Sequence, residues 1–458
     1  MVEVLRIDTP TLGDRSYLAH DGDTALIVDP QRDIDRVTSL ADRLGVRITH
    51  VAETHMHNDY VTGGLALSRA AGASYLVNAA DPVRFGRTPI RDGDSLEIGG
   101  MRLRVLATPG HTFTHLSYVL EAGGQVTGVF TGGSLLYGST GRPDLLGPDH
   151  TATLAHAQYA SAQRLARELP DSAEIFPTHG FGSFCAATQA QAQSSTIGQE
   201  KQFNPALTAG EQRYVDALLA GLDAWPAYYA HMGPANTAGP PGPDLAPPRR
   251  ADAAEVRRAI EAGEWVVDLR DRMAFGAGFV PGSFSFPLDG SFATYLGWVI
   301  PWGTPVTLLG ETPEQVAAAQ RELVRIGIDR PAAATGQPQD WAGGRPLATL
   351  RLAKFGDLAA ASAAAGDRPG EPPVLDVRRR LEWEESHITG ATHIPFNELP
   401  GRYHEVPAGE VWVHCHSGYR SMVAASLLAA RGRRVISIDD DYANAETAGL
   451  PLARPLTR

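Results

Sequence analysis

Cysteine is almost absent: the 458-residue chain has two, Cys185 and Cys415. Two thiols so far apart make no disulfide framework, so the expectation is free cysteines in a reducing cytoplasm. Clusters of lysine and arginine are missing too, and the formal net charge is −12. That balance argues against nucleic acid or an anionic membrane as a partner. No apolar run approaches the length of a bilayer span. The opening segment MVEVLRIDTP has neither the basic start nor the apolar centre of a secretory signal. What is present is the composition of a soluble globular protein, with 43% hydrophobic and 20% charged residues. The length suits about two or three domains.

The clearest boundary is the proline-rich stretch MGPANTAGPPGPDLAPPRR, residues 232–250. Its prolines should interrupt helices and central strands, so a semi-stiff linker is expected there. Before it, residues 1–231 alternate strand-like and helix-like segments, including ALIVD at 25–29, ITHVAE at 48–53 and a long helix from Thr151 to Leu169. Behind it the sequence repeats. WVVDLR at 265–270 resembles PVLDVR at 373–378, and FVPGS at 279–283 resembles HITGA at 387–391. Each copy then runs through a strand into a helix, giving two tandem α/β domains over 251–345 and 346–458.

In the second copy a strand ends at His414 and a helix starts near Ser421, joined by Cys415-His416-Ser417-Gly418-Tyr419-Arg420. Such a loop turns backbone N–H groups inward, and the helix N-terminus adds partial positive charge. With Arg420 as a fixed cation, this setting favours a thiolate or a persulfide anion on Cys415. His416 either tunes the thiol or is simply exposed, and Asp376 is expected to be structural. The first copy reads LLGETPEQ at the same turn, so Leu309-Gly310 stands where a cysteine would be. It has no nucleophile and is expected to serve packing or docking.

In the N-terminal part, THMHNDY at 54–60 follows a strand and brings His55, His57 and Asp59 together. Further histidines follow other strands: His111 and His115 in TPGHTFTH, and His179 in PTHGFGSFC. Imidazoles and a carboxylate gathered at strand ends are the donor set of a transition-metal site. Cys185 lacks a basic neighbour and is expected to be structural.

HCHSGYRS, with LDVR and HITGATHIP upstream, resembles the rhodanese family, whose Cys-x-x-Gly-x-Arg pattern is matched at 415, 418 and 420. The resemblance implies that Cys415 carries sulfane sulfur as a persulfide, with His416, Ser417, Gly418 and Tyr419 cradling it beside Arg420. The N-terminal segments resemble the metallo-β-lactamase superfamily, an αββα sandwich. VDPQRDID, TGGSLLYGSTGRPDLL and the fused rhodanese pair resemble persulfide dioxygenases of the rhodanese-fusion type. The architecture implied is mixed α/β and α+β: the αββα sandwich, then two rhodanese-like α/β domains with parallel sheets. The activity implied is oxidation of a low-molecular-weight thiol persulfide with O₂ at one iron (Fe2+), for which His55 and His111 match the histidine ligands. The partners implied are a small persulfide or thiosulfate and a thiol acceptor, in a chain compatible with a homo-oligomer.

Two departures stand out. Tyr60 replaces a family histidine. Gly133 occupies the place of the aspartate that would be the third metal ligand, and a glycine has no side chain to coordinate with. Either another group such as His57, Asp59 or His179 steps in, or the site is weakened, or the domain is a scaffold. Two other functions therefore stand beside the first: a rhodanese sulfurtransferase with a degenerate, metal-poor N-terminal domain, and a zinc thioester hydrolase.

Overall fold

The computed structural model describes residues 2–186, 192–365 and 372–454. The chain divides into two compact units, Met1–Asp244 with Leu323–Gly327, and Leu245–Glu322 with Ile328–Arg458.

The first unit begins with six strands in sheet order: Glu3–Thr9 (β1), Asp14–His20 (β2), Thr24–Val28 (β3), Arg47–Ala52 (β4), Ser74–Asn78 (β5) and Thr88–Ile90 (β6). The first three pair antiparallel and the last four pair parallel. The second sheet holds Ser95–Ile98 (β7), Met101–Ala107 (β8), Leu116–Ala122 (β9), Gln125–Gly132 (β10) and Glu174–Pro177 (β11), with β11 parallel to β10. Alternation decides which faces meet. Along β8, Leu103 and Val105 are buried while Arg102 is exposed, and they join Tyr17, Leu26, Val28, Tyr118, Phe130 and Phe176 in a core drawn from both sheets. Burying each such side chain contributes about 1.5–3 kcal/mol. Helices Asp35–Leu44 and Gly64–Ala71 cover the outer face of the first sheet through Val37, Ala41, Leu65 and Leu67. Helix Pro148–Glu168 covers the second through Ala155, Ala162 and Leu165. The result is the αββα sandwich the resemblance implied.

The proline-rich stretch departs from expectation at its start. Residues Tyr229–Ala238 form a helix with Pro234 inside it. The helix tolerates the missing N–H because its other side chains anchor it. Met232 is buried, and Asn236 donates to the carbonyls of His57 and Tyr60 at 2.9 and 2.8 Å while accepting from Thr62 N–H at 2.9 Å. This stretch therefore braces the histidine-bearing loop. Arg249–Arg250 (β12), at its other end, is already a strand of the next sheet.

The second unit holds two five-stranded sheets. The first orders β12, Ala332–Thr335 (β16), Val306–Gly310 (β15), Trp265–Asp268 (β13) and Phe284–Ser285 (β14), all pairs parallel. The second orders Arg351–Ala353 (β17), Arg434–Ile438 (β22), Glu410–His414 (β21), Val374–Asp376 (β18) and Thr392–His393 (β20), again all parallel. His387–Ile388 (β19) and Leu452–Ala453 (β23) pair separately. The repeat read from the sequence thus folds as two copies of one α/β topology. No helix among the described residues is long and apolar enough to cross a membrane.

Candidate functional site

The Cys415 loop leaves β21 and enters helix Tyr419–Ala429. Gly418 caps that helix with φ +98°, where any other residue would be strained and its Cβ would stand 3.2 Å from Arg272 Nε. That conformation turns the Gly418 N–H onto Cys415 Sγ at 3.2 Å. Cys415 is 2% exposed, and Ser421 Oγ lies 3.8 Å from its sulfur while bonding to the Gly418 carbonyl. His416 and Ser417 are exposed at the mouth. Tyr419 lends the loop only its backbone, because its hydroxyl donates to Pro287 O at 3.1 Å and its ring packs on Tyr295.

Arg420 is not a free cation. Its guanidinium makes a bidentate pair with Glu382, at 2.6 and 2.7 Å. Burial alone would raise the Glu382 carboxyl, but Arg420 and the Arg379 N–H outweigh it and hold it at about 2. Sequence reading missed Glu382, which lies 38 residues upstream in LEWEE. Behind the loop, Asp376 accepts from Arg378 at 2.6 to 3.0 Å, and Arg378 lies 3.7 Å over the Tyr442 ring. Asp376 is therefore structural, as expected.

The first copy repeats that support without the chemistry. Asp268 and Arg270 form the same pair at 2.7 to 3.2 Å. At the loop, however, Gln315 accepts from the Glu311 N–H at 2.7 Å and donates to Leu269 O at 3.1 Å. The amide side chain occupies a backbone donor that an anion would need.

In the first unit, His55, His57, His111, His115 and His179 are all buried together. The rings of His111 and His179 stand 4.8 and 5.3 Å from that of His55. Their protonation follows from their partners. Thr54 gives its single hydroxyl proton to Asp29 at 2.7 Å, so it accepts from His55 Nδ1 at 2.9 Å. His111 Nδ1 faces the Arg142 carbonyl at 2.8 Å. His179 Nδ1 faces the carboxylates of Asp14 and Asp59 at 2.9 and 3.1 Å. In each case Nδ1 carries a proton, so Nε2 is the atom through which the ring could reach a metal. His55 Nε2 and His179 Nε2 stand 3.4 Å apart, and His111 Nε2 has no hydrogen-bond partner.

Not every predicted ligand joins this group. His57 Nε2 instead lies between Asp29 and Glu53 at 3.2 and 3.3 Å, and its ring stacks on Tyr60. Burial disfavours its charge, yet the two carboxylates prevail and raise it to about 9. His115 Nε2 accepts from the Gly133 N–H at 3.0 Å, so this histidine supports the backbone. Asp144 is clamped by Arg142 at 2.7 and 2.8 Å. Cys185 is fully buried, and burial followed by Asp59 and Asp14 pushes its thiol upward. Burial keeps His55 and His111 well below the usual imidazole range, His111 at about 3. Against the same burial, Asp59 and Asp14 raise His179 to about 10. Neither Asp14 nor Asn236 was singled out in the sequence, because 165 and 179 residues separate them from His179 and His57.

A strand-end histidine cluster on an αββα sandwich and a cysteine loop on a parallel α/β domain define two known protein classes. The metallo-beta-lactamase superfamily model matches residues 12–179, and the rhodanese-like domain model matches residues 359–447. The chain belongs to the metallo-beta-lactamase superfamily, has persulfide dioxygenases among its homologues, and carries a rhodanese-like domain fused behind. The human mitochondrial persulfide dioxygenase ETHE1 is 30% identical over 212 residues, which span 46% of this chain and 75% of that protein. A hydroxyacylglutathione hydrolase from Maricaulis maris is 32% identical over 187 residues, 40% of this chain and 68% of the hydrolase. Among solved structures, a metallo-beta-lactamase from Staphylococcus aureus subsp. aureus COL matches with TM-score 0.67 and 28% identity, over 74% of this chain and 99% of that one. The persulfide dioxygenase homologues and the rhodanese-like domain together support an enzyme of sulfur metabolism.

Proposed function

We propose that this chain oxidises a low-molecular-weight thiol persulfide at a mononuclear iron in its N-terminal unit and moves sulfane sulfur through a persulfide on Cys415. The observation that carries the reading is the Cys415 loop, with its buried sulfur receiving the Gly418 N–H at 3.2 Å. A backbone donor aimed at Cys415 Sγ stabilises the thiolate that accepts the sulfur and later departs.

The transfer balances without a cofactor. Cys415 Sγ attacks the outer sulfur of thiosulfate, forming an S–S bond, and sulfite leaves with the bonding pair. An acceptor thiolate then takes that sulfur and becomes a persulfide, and Cys415 leaves as its thiolate. Arg420, held by Glu382, fixes the loop from behind.

In the N-terminal unit, His55 and His111 would hold the metal, and the orphaned Nε2 of His111 fits that role. A bound iron with open positions would supply the site where persulfide and O₂ meet. The chain's own contribution is to orient the imidazoles through Thr54, Arg142 O and the carboxylates of Asp14 and Asp59, and to exclude water by burial. The partners implied are small sulfur donors and thiol acceptors rather than nucleic acid or membrane, in the cytoplasm.

Oxygen uptake on adding glutathione persulfide to iron-loaded protein tests the oxidative half, and no uptake refutes it. Sulfur transfer from thiosulfate to a thiol tests the other half and should vanish in Cys415→Ser. Gly133 favours a second reading, a sulfurtransferase with an inactive N-terminal unit. It predicts full transfer from metal-free protein and no oxygen uptake. The hydroxyacylglutathione hydrolase relatives favour a zinc thioester hydrolase, which thioester turnover with added zinc would reveal.

A further inference from the structure

The geometry points to a three-histidine metal site, His55, His111 and His179, in which His179 takes the corner that Gly133 leaves empty. This rests on the reading that the N-terminal unit holds a metal, and it names the ligands this chain uses.

Three observations converge. The Nε2 atoms are the nitrogens these rings can turn to a metal, since every Nδ1 is committed to Thr54, Arg142 O or the pair Asp14 and Asp59. The three rings offer donor atoms that all lie within 4.8 Å of one another. Two nitrogens bound at roughly 2.0–2.1 Å to a tetrahedral ion stand about 3.4 Å apart, and His55 Nε2 and His179 Nε2 are 3.4 Å apart.

Competing donors are occupied. His179 cannot join His57 and Asp59 through Nδ1, because that atom donates to two carboxylates. In the group of Asp29, Glu53 and His57 the imidazole already lies between the two carboxylates as an ion pair. An aspartate at 133 has no space. A Cβ there would lie 2.7 Å from His111 Cγ, and nearer still to Cδ2. The His111 ring occupies the volume that a carboxylate would fill. Asp14 and Asp59 then act through His179, since a carboxylate on the far nitrogen orients a ligating ring and raises its basicity.

The donor set is neutral, so a divalent ion keeps its whole double charge toward the open side. A carboxylate ligand would have cancelled half of it. The ligand class that suits such a centre is an anion, which includes a persulfide or thiolate sulfur.

The test uses the full-length protein stripped of metal and titrated with Co(II), followed by ligand-field absorption and by X-ray absorption at the cobalt edge. We expect one ion per chain with three imidazoles in the unaltered protein. His179→Gln should bind at least about tenfold more weakly and show two imidazoles, while Gly133→Asp should bind no more tightly than the parent. Counting imidazoles in the unaltered protein requires no variant to fold. Two imidazoles there, or His179→Gln binding like the parent, would overturn the three-histidine site and leave the metal reading intact. No binding at all would overturn both.

Discussion

The two α/β copies of the second unit share a frame and differ in one loop. Asp268–Arg270 and Asp376–Arg378 pair almost atom for atom, each arginine also bonding a carbonyl eight residues on, at 2.8 and 2.7 Å. The copies part company at the end of the fourth strand of each sheet in chain order. One ends in Cys415, with a backbone N–H turned onto sulfur. The other ends in Gly310, with the Gln315 amide capping the Glu311 N–H. A buried Asp–Arg pair is costly to break, because removing one partner strands a charge. The frame is therefore tied to stability, and the loop is free to gain or lose chemistry. The lost residue at 133 has a different consequence. There a neighbouring ring fills the gap, and a histidine from β11's far end stands at the vacant corner.

The sharpest way to break this comparison is to remove the one difference. Cys415→Ser should reduce thiosulfate-to-thiol sulfur transfer to background, while circular dichroism and the unfolding midpoint change little. Placing a cysteine in the first copy, Gly310→Cys in the Cys415→Ser background, should not restore transfer. Gln315 holds that loop, and a Cβ at 310 would stand 2.7 Å from Val316 Cγ2. Recovered transfer would show that the copies differ only in the nucleophile.

The shared frame can be tested by paired substitutions. Asp268→Asn and Asp376→Asn should each destabilise the second unit by about 3–5 kcal/mol in denaturant unfolding, as expected for a stranded buried arginine. Below the transition, only Asp376→Asn should also slow transfer, because only its copy carries the sulfur. Glu382→Gln removes the partner of Arg420 and should cost less, about 3 kcal/mol, since Glu382 keeps some solvent contact.

The smallest effect is one of pH. The Glu382 carboxyl lies at about 2, below its ordinary 4.5. A carboxylate depressed on folding contributes stability that is fully present above its unfolded pKa and is lost as pH falls through its folded one. The stability gap between the parent and Glu382→Gln should therefore be constant near neutrality and close between about pH 4.5 and 2. A gap that persists at pH 2 would mean that the pair does not set it.

Much of this was legible in the sequence because the signals are local. The Cys-x-x-Gly-x-Arg loop, the Asp-x-Arg repeats and the histidines after strands all lie within a few residues of the elements that place them. Pairings across long separations were not legible. Asp14 reaches His179 across 165 residues, and Glu382 reaches Arg420 across 38. Neither residue type nor spacing marks those partners in advance. The proline-rich stretch misled for a related reason. Pro234 signals a break, but buried Met232 and the bonds of Asn236 hold the helix around it. Gly133 read as a missing ligand, and only the packing reveals that the His111 ring has taken its space.

The central claim is that Cys415 alone carries sulfane sulfur. Brief exposure of the full chain to thiosulfate, followed by alkylation and peptide mass analysis, tests it directly. The prediction is a mass gain of one sulfur atom on the peptide containing Cys415 and none on that containing buried Cys185. A gain on Cys185, or no gain on Cys415, would contradict it.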